Sequence, residues 1–389
     1  MKRSVVLLLV LASLAPTVSA QFSIRSAQDL GDANRRAMMD ALAVGDFTVQ
    51  ELSMPDRATG AFEVDVVLDG QPRKLVLHPH SVRAPGFKLV VQDADGYHDV
   101  EPAAPVTVRG RIQGIEGSVV AGALVDGQLE AQVMVSRELP MLGIQPASRL
   151  DPTQGGTAHV VYSSRDNLPQ DFTCGTPSLS GTDGGDGGGT PPPPGGLPEY
   201  DTAEIACDSD VEFYNANGQS VNNTQNDIEN ITNPTAALYE VEANLTYEIT
   251  NITVRTAEPD PYGTAAPSAL LGVFSNEWIQ NQGSVERDVA HLFTGKNLTG
   301  STIGIAYLNV LCGNNAYGLS QSKYTGNFTN RTGLTAHELG HNWNANHCDG
   351  QASCRIMCSG LGGCGPVTTF GFSATQSITE KANNVSCLD

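Results

Sequence analysis

The chain has 389 residues, with 42 Asp and Glu against 22 Lys and Arg, a formal net charge of −20 and eight cysteines. That length allows two or three domains with their own cores, and the charge argues against nucleic acid or an anionic lipid surface as a partner. Apolar segments recur along most of the sequence, which excludes collagen, a coiled coil and wholesale disorder.

Residues 1–20 read as a secretory signal. Met1-Lys2-Arg3 is basic, residues 5–15 form an apolar run broken only by Ser13, and Val18-Ser19-Ala20 offers small residues ahead of a cut before Gln21. The competing reading, a membrane anchor, fails on length, because about 11 apolar residues fall short of the roughly 20 that span hydrocarbon. No later stretch is long enough to span a bilayer. A secreted, monomeric chain without a membrane span is expected, in a compartment where disulfides persist.

Residues 21–175 read as a mostly β domain. Residues 61–68 alternate and Asp69-Gly70 follows as a turn; residues 74–78 and 88–91 repeat the pattern, with further turns at Asp95-Gly96 and Asp126-Gly127. One helix is expected within 28–44. His78 and His80 alternate on a strand and read as paired surface histidines rather than metal ligands. Residues 176–198 form a linker, in which the Gly tract and the prolines from Pro191 to Pro194 cannot pack into a core. Residues 199–389 mix strands near 204–207 and 303–311 with helical stretches within 222–245, ending near Tyr239, and within 276–293. That alternation indicates an α/β (α+β) class. No P-loop, G-x-G-x-x-G or G-x-S-x-G occurs in this half.

The chemistry concentrates in His337-Glu338-Leu339-Gly340-His341-Asn342-Trp343-Asn344-Ala345-Asn346-His347. On a helix, His337 and His341 lie one turn apart on one face and can aim ring nitrogens at a single ion. Glu338 is placed to bind and deprotonate a water. His347 cannot come from the same straight helix, so the chain must turn back, and Asn344 can adopt the left-handed conformation such a turn needs. Three His ligands leave one position of a tetrahedral Zn²⁺ open. The competing reading is a structural zinc site closed by a cysteine, with Cys348 adjacent.

This motif, followed by Met357 in R-I-M-C, resembles the metzincin zinc proteases, most closely the adamalysin/reprolysin branch that includes the ADAM and ADAMTS enzymes. Residues 287–295 and 300–306 with Cys312 resemble the segment before that family's zinc helix. Residues 110–135 and Ile144-Gln145-Pro146 resemble its propeptide. The resemblance implies a twisted mixed sheet over the zinc helix, preceded by an inhibitory prodomain over 21–175. It implies a Met-turn at Met357 and an edge strand with Gly304, Ile305 and Ala306 to which substrate adds. It also implies a Cys312–Cys387 disulfide, and a calcium site at Glu204, Asp288 and the Cys387 carbonyl, for which two ordinary surface acids are the alternative. An Asp directly follows the third His in that family; here Cys348 intervenes and Asp349 comes next.

Cys348, Cys354, Cys358 and Cys364 are expected to form two bridges of open pairing around the Met-turn. Cys174-Gly175 sits where ADAM proenzymes carry a cysteine switch, a thiolate that fills the open zinc position. A Cys174–Cys207 disulfide is the alternative. The expected function is hydrolysis of protein and peptide substrates, with zinc on His337, His341 and His347 and Glu338 as general base. The prodomain is expected to keep the enzyme latent. The alternative from another class is a non-catalytic secreted binding protein that keeps the zinc fold.

Overall fold

A computed structural model of the chain describes residues 23–177, 200–349, 355–360 and 369–389. The expected signal segment, nearly all of the linker, Cys354 and Cys364 lie outside the described residues.

The first half runs β1 (Ile24–Ser26), α1 (Asp32–Leu42), β2 (Thr48–Glu51), β3 (Phe62–Leu68), β4 (Gln71–Pro79), β5 (Arg83–Asp93) and β6 (Gly96–Val100). It continues with β7 (Thr107–Ile112), β8 (Val119–Val125), β9 (Gln128–Met134), β10 (Leu142–Pro146), β11 (Ala158–Ser163) and β12 (Thr173–Cys174). The second half opens with β13 (Asp201–Ser209), α2 (Val211–Ala216), α3 (Val221–Ala243), β14 (Leu245–Arg255) and α4 (Pro267–Asn281). β15 (Val289–Thr294), β16 (Thr302–Ala306), β17 (Tyr317–Gln321), α5 (Phe328–Asn342) and α6 (Phe372–Ala382) complete it.

Nine strands of the first half form an antiparallel sheet in the order β1-β2-β11-β10-β9-β8-β7-β4-β3. The Asp-Gly pairs set its hairpins. Asp69 and Gly70 have φ of 46° and 71°, and Asp126 and Gly127 have 48° and 71°, the left-handed pair that matches the twist of the flanking strands. Alternation along β3 and β4 then buries Val64, Val66, Leu68, Leu75 and Leu77 in one core.

The second sheet follows the order β12-β16-β17-β15-β13-β14-β5-β6, so strands of the first half lie at both of its ends. Its centre is parallel: β13 pairs with β14 and β15, and β15 pairs with β17. Every residue of β15 and β17 is buried, as expected of parallel strands covered on both faces. α4 packs Leu270, Leu271, Phe274 and Trp278 against Ala290, Leu292 and Leu319 on one face. α3 and α5 share a core with β13 and β14 on the other. α3 is buried between two layers, because β8 of the first sheet lies on its outer side.

Three expected elements are corrected. The helix expected within 276–293 is α4, which starts at Pro267, a residue suited to a first helical turn because its missing N–H would be unpaired there anyway. Residues 289–294 are the strand β15 instead, since a short continuous apolar run does not separate a buried strand from a helix by periodicity. The strand expected over 303–311 ends at Ala306, and left-handed Asn309 and Cys312, with φ of 60° and 63°, turn the chain away. α3 continues past Tyr239 to Ala243 and stops at left-handed Asn244. No helix among the described residues is long and apolar enough to cross a membrane.

Candidate metal centre

Helix α5 begins at Asn327, whose side chain accepts from Asn330 N, and all but one of its residues are buried. The i,i+4 spacing places the His337 and His341 rings at 4.7 Å between centroids, with their Nε2 atoms 3.1 Å apart. Their Nδ1 atoms lie 2.6 Å from Ile356 O and 2.8 Å from Ala345 O. A carbonyl only accepts, so each Nδ1 carries the proton and each Nε2 presents a lone pair. After the helix, Asn344 adopts φ 79°, and the chain returns to bring the His347 ring within 5.3 Å of His337 and 4.8 Å of His341. This is the turn expected at Asn344.

Two lone pairs aimed at each other across 3.1 Å repel unless a cation lies between them. A tetrahedral ion about 2.0–2.1 Å from each nitrogen requires an N···N separation of about 3.4 Å, so the arrangement fits zinc. Burial lowers His337 to about 3 and pushes His341 and His347 down as well, so all three rings are neutral donors at neutral pH. Met357 lies beneath them. A Cβ on Gly340 would come within 2.6 Å of its Sδ, so only glycine lets the helix sit this close. Met357 is buried and its carbonyl accepts from Cys348 N.

Glu338 is fully buried, its Oε1 has no hydrogen-bond partner among the described residues, and burial pushes its carboxyl well above the usual range. It leans against β16, where a Cβ on Gly304 would fall 2.3 Å from Oε1. Gly304, Ile305 and Ala306 all lie in β16, paired inward with β17.

The outer side of β16 carries β12 in parallel register. Thr173 N donates to Ser301 O (2.8 Å), Gly175 N to Gly304 O (2.8 Å), and Cys174 N across the groove to Ser359 O (3.0 Å). The Cys174 sulfur lies 3.4 Å from His341 Nε2 and 3.5 Å from Glu338 Oε2. Donor atoms of Cys174, His337, His341 and His347 all fall within 4.8 Å of one another. Burial, and then the Glu338 carboxyl, push its thiol well up.

The alternative Cys174–Cys207 disulfide is absent: both are free thiols, and Cys207 is buried in β13. Cys348 is joined to Cys358, which removes it as a zinc ligand, and Cys312 is joined to Cys387. Asp349 accepts from Ser359 N at 2.9 Å and so braces the loop after Met357. Asp288 Oδ2 accepts from Glu204 N (2.9 Å), with burial raising Asp288 to about 6. Glu204 joins no metal-capable group among the described residues, and Asp288 joins one only with the disulfide sulfurs of Cys312 and Cys387. His78 and His80 join none. Sequence reasoning missed Ser359 and Thr176, which act on the cysteine through hydrogen bonds that no local motif announces.

Residues 200–384 match the Reprolysin_5 model, described as Metallo-peptidase family M12. Among curated proteins the chain is similar to "Zinc metalloproteinase-disintegrin-like ammodytagin" of Vipera ammodytes ammodytes, at 39% identity over 71 residues, 18% of this chain. The chain spans 36% of that relative's length. A chain titled "Structure of a chaperone-substrate complex" aligns at TM-score 0.36 and 14% identity, over 47% of this chain and 34% of that one, too distant to bear on the fold.

Proposed function

Since residues 200–384 belong to metallopeptidase family M12, in its reprolysin group, we propose that the chain is a secreted zinc endopeptidase held latent by its own first half. The observation that carries the proposal is the convergence of three neutral imidazoles, one buried carboxyl and one cysteine sulfur on a single point beside a strand edge.

His337, His341 and His347 would hold the ion. Zinc bound there supplies a Lewis acid that polarises the scissile carbonyl and eases ionisation of water. The remaining steps belong to the chain. An extended substrate pairs with the backbone of Gly304, Ile305 and Ala306, which sets its carbonyl against the histidines. Glu338 takes the proton of the attacking water and returns it to the leaving amine. Its raised pKa describes the covered, latent state; opening the groove to water lets it ionise and act as the base.

In the latent form β12 occupies the groove that substrate would need, and the Cys174 sulfur takes the fourth position around the histidines. Cutting within the linker at 176–198 would allow it to leave. The linker contains no Lys or Arg, so self-cleavage or a protease with another preference is the expected trigger. The signal reading of residues 1–20 supports export.

The test compares the exported chain, opened in the linker, with its Glu338→Ala variant on denatured casein, with every new peptide mapped by mass spectrometry. Cleavage by the native chain alone, abolished by a zinc chelator, is expected. A native chain that holds zinc and cuts nothing would make the site a binding device instead.

A further inference from the structure

The final rung between β12 and β16 is closed by a side chain. Thr173, Cys174 and Gly175 are all held through their backbone N–H groups. Two residues after Gly175 the backbone ladder stops, because Pro177 has no N–H to donate. In its place the hydroxyl of Thr176 accepts from Ala306 N at 3.0 Å and donates to Ala306 O at 3.1 Å. One oxygen thus satisfies both backbone groups that β16 turns outward at that position. Thr176 is 5% exposed and Ala306 3%, so water does not replace these bonds while the segment is seated. The N–H of Thr176 meanwhile points at Cys174 Sγ at 3.3 Å. A single residue therefore grips the strand edge with its side chain and the sulfur with its backbone.

We propose that Thr176 is a positioning residue for latency, whose hydroxyl sets how long the Cys174 sulfur stays at the three histidines. The proposal rests on the latent-peptidase reading. A seated segment opens only by breaking the Thr176 bonds together with three backbone bonds. Without the hydroxyl, Ala306 N–H and C=O are buried unpaired when the segment is seated and hydrated when it lifts. Removing it therefore favours opening. A substrate that pairs with Ala306 must displace the same hydroxyl, which makes this rung the point where substrate and the latent segment compete.

The experiment uses the full-length exported chain loaded with zinc, in native, Thr176→Val and Thr176→Ser forms. Each is pulse-treated with iodoacetamide, and modification of Cys174 is followed on its own peptide by mass spectrometry. Valine keeps the shape and loses both bonds; alkylation about tenfold faster or more is expected. Serine keeps the hydroxyl and is expected within about threefold of the native rate. A valine variant that reacts at the native rate overturns the proposal, as does a serine variant that reacts as fast as valine. Thermal melting in the same buffer confirms that the folded form is what reacts. The underlying reading has a separate arm: a Cys174→Ala chain that cleaves peptide no faster than the native chain would overturn latency itself, whatever the alkylation rates.

Discussion

Gly340 has Met357 where its own side chain would be, and helix α5 depends on that exchange. Gly340→Ala forces a methyl to within 2.6 Å of the Met357 sulfur, with Phe370 close behind. A loss of about 1–3 kcal/mol is expected, read from chemical denaturation, together with weaker zinc retention. Asn344 makes the reverse case. It holds φ 79°, so Asn344→Gly is expected to leave stability within a few tenths of a kcal/mol, whereas Asn344→Ala costs about 1 kcal/mol. Equal melting of the two variants would contradict a left-handed turn. Glu338→Gln keeps the shape and removes the proposed base; the rate is expected to fall about 10²–10⁴-fold with zinc content unchanged, measured on a peptide and by metal analysis. His337, Glu338 and His341 were legible in the sequence because helical spacing dictates their geometry, and His347 because Asn344 marks the turn that brings the chain back. Thr176 and Ser359 were not, because their roles depend on partners far along the chain, Ala306 for one and Cys174 for the other.

Helices α3 and α5 are tied by a buried charge cluster as well as by apolar packing. Arg331 donates twice to Asp227, at 3.0 and 2.8 Å, and Lys323 reaches the same carboxylate at 2.6 Å. Burial by itself would raise Asp227, but Arg331 and Lys323 overcome it and hold the group well below the usual Asp range. A depressed folded pKa stabilises the fold above the unfolded value of about 3.9, and that contribution is lost as pH falls below it. Asp227→Asn leaves Arg331 buried without its partner; a loss of about 3–5 kcal/mol at neutral pH is expected, with a shallower acid limb in melting against pH. The hairpin strands β3 and β4 were readable from alternation and Asp-Gly turns. The departure of β5 and β6 into the other sheet was not, because a strand's own residues do not encode its pairing partners.

The two halves of the molecule are joined far from the histidines as well as at them. Arg83 pairs with buried Glu229 at 2.8 Å, and Arg109 donates to Glu240 at 2.7 Å and to both the side chain and the carbonyl of Asn233. Tyr162 and Gln145 of the first half accept from Phe328 N, so they also cap helix α5. These charge pairs flank an apolar contact, in which Val82, Leu89, Ala121, Met134 and Met141 of the first half share a core with the second, and β5 pairs with β14 beside it. Opening the linker is therefore expected to leave the halves co-eluting, and Arg83→Ala with Arg109→Ala to lower the denaturant concentration at which they part; immediate separation of the native halves would contradict the docking. Glu242, beside Arg137 of the first half, is raised to about 7, by burial first. A raised folded pKa stabilises below the unfolded value of about 4.3 and is lost as pH climbs through 7. The melting temperature of the intact chain should thus fall from pH 5 to 8, and Glu242→Gln should flatten part of that slope. The most direct measurement concerns Cys174 itself: hydrolysis of a quenched peptide by the uncut full-length chain, native against Cys174→Ala, with Glu338→Ala added as control. Activity that appears with Cys174→Ala and vanishes with Glu338→Ala is the predicted result. Two zinc-loaded chains that are equally inactive, or equally active, would contradict a latent zinc peptidase held by this cysteine.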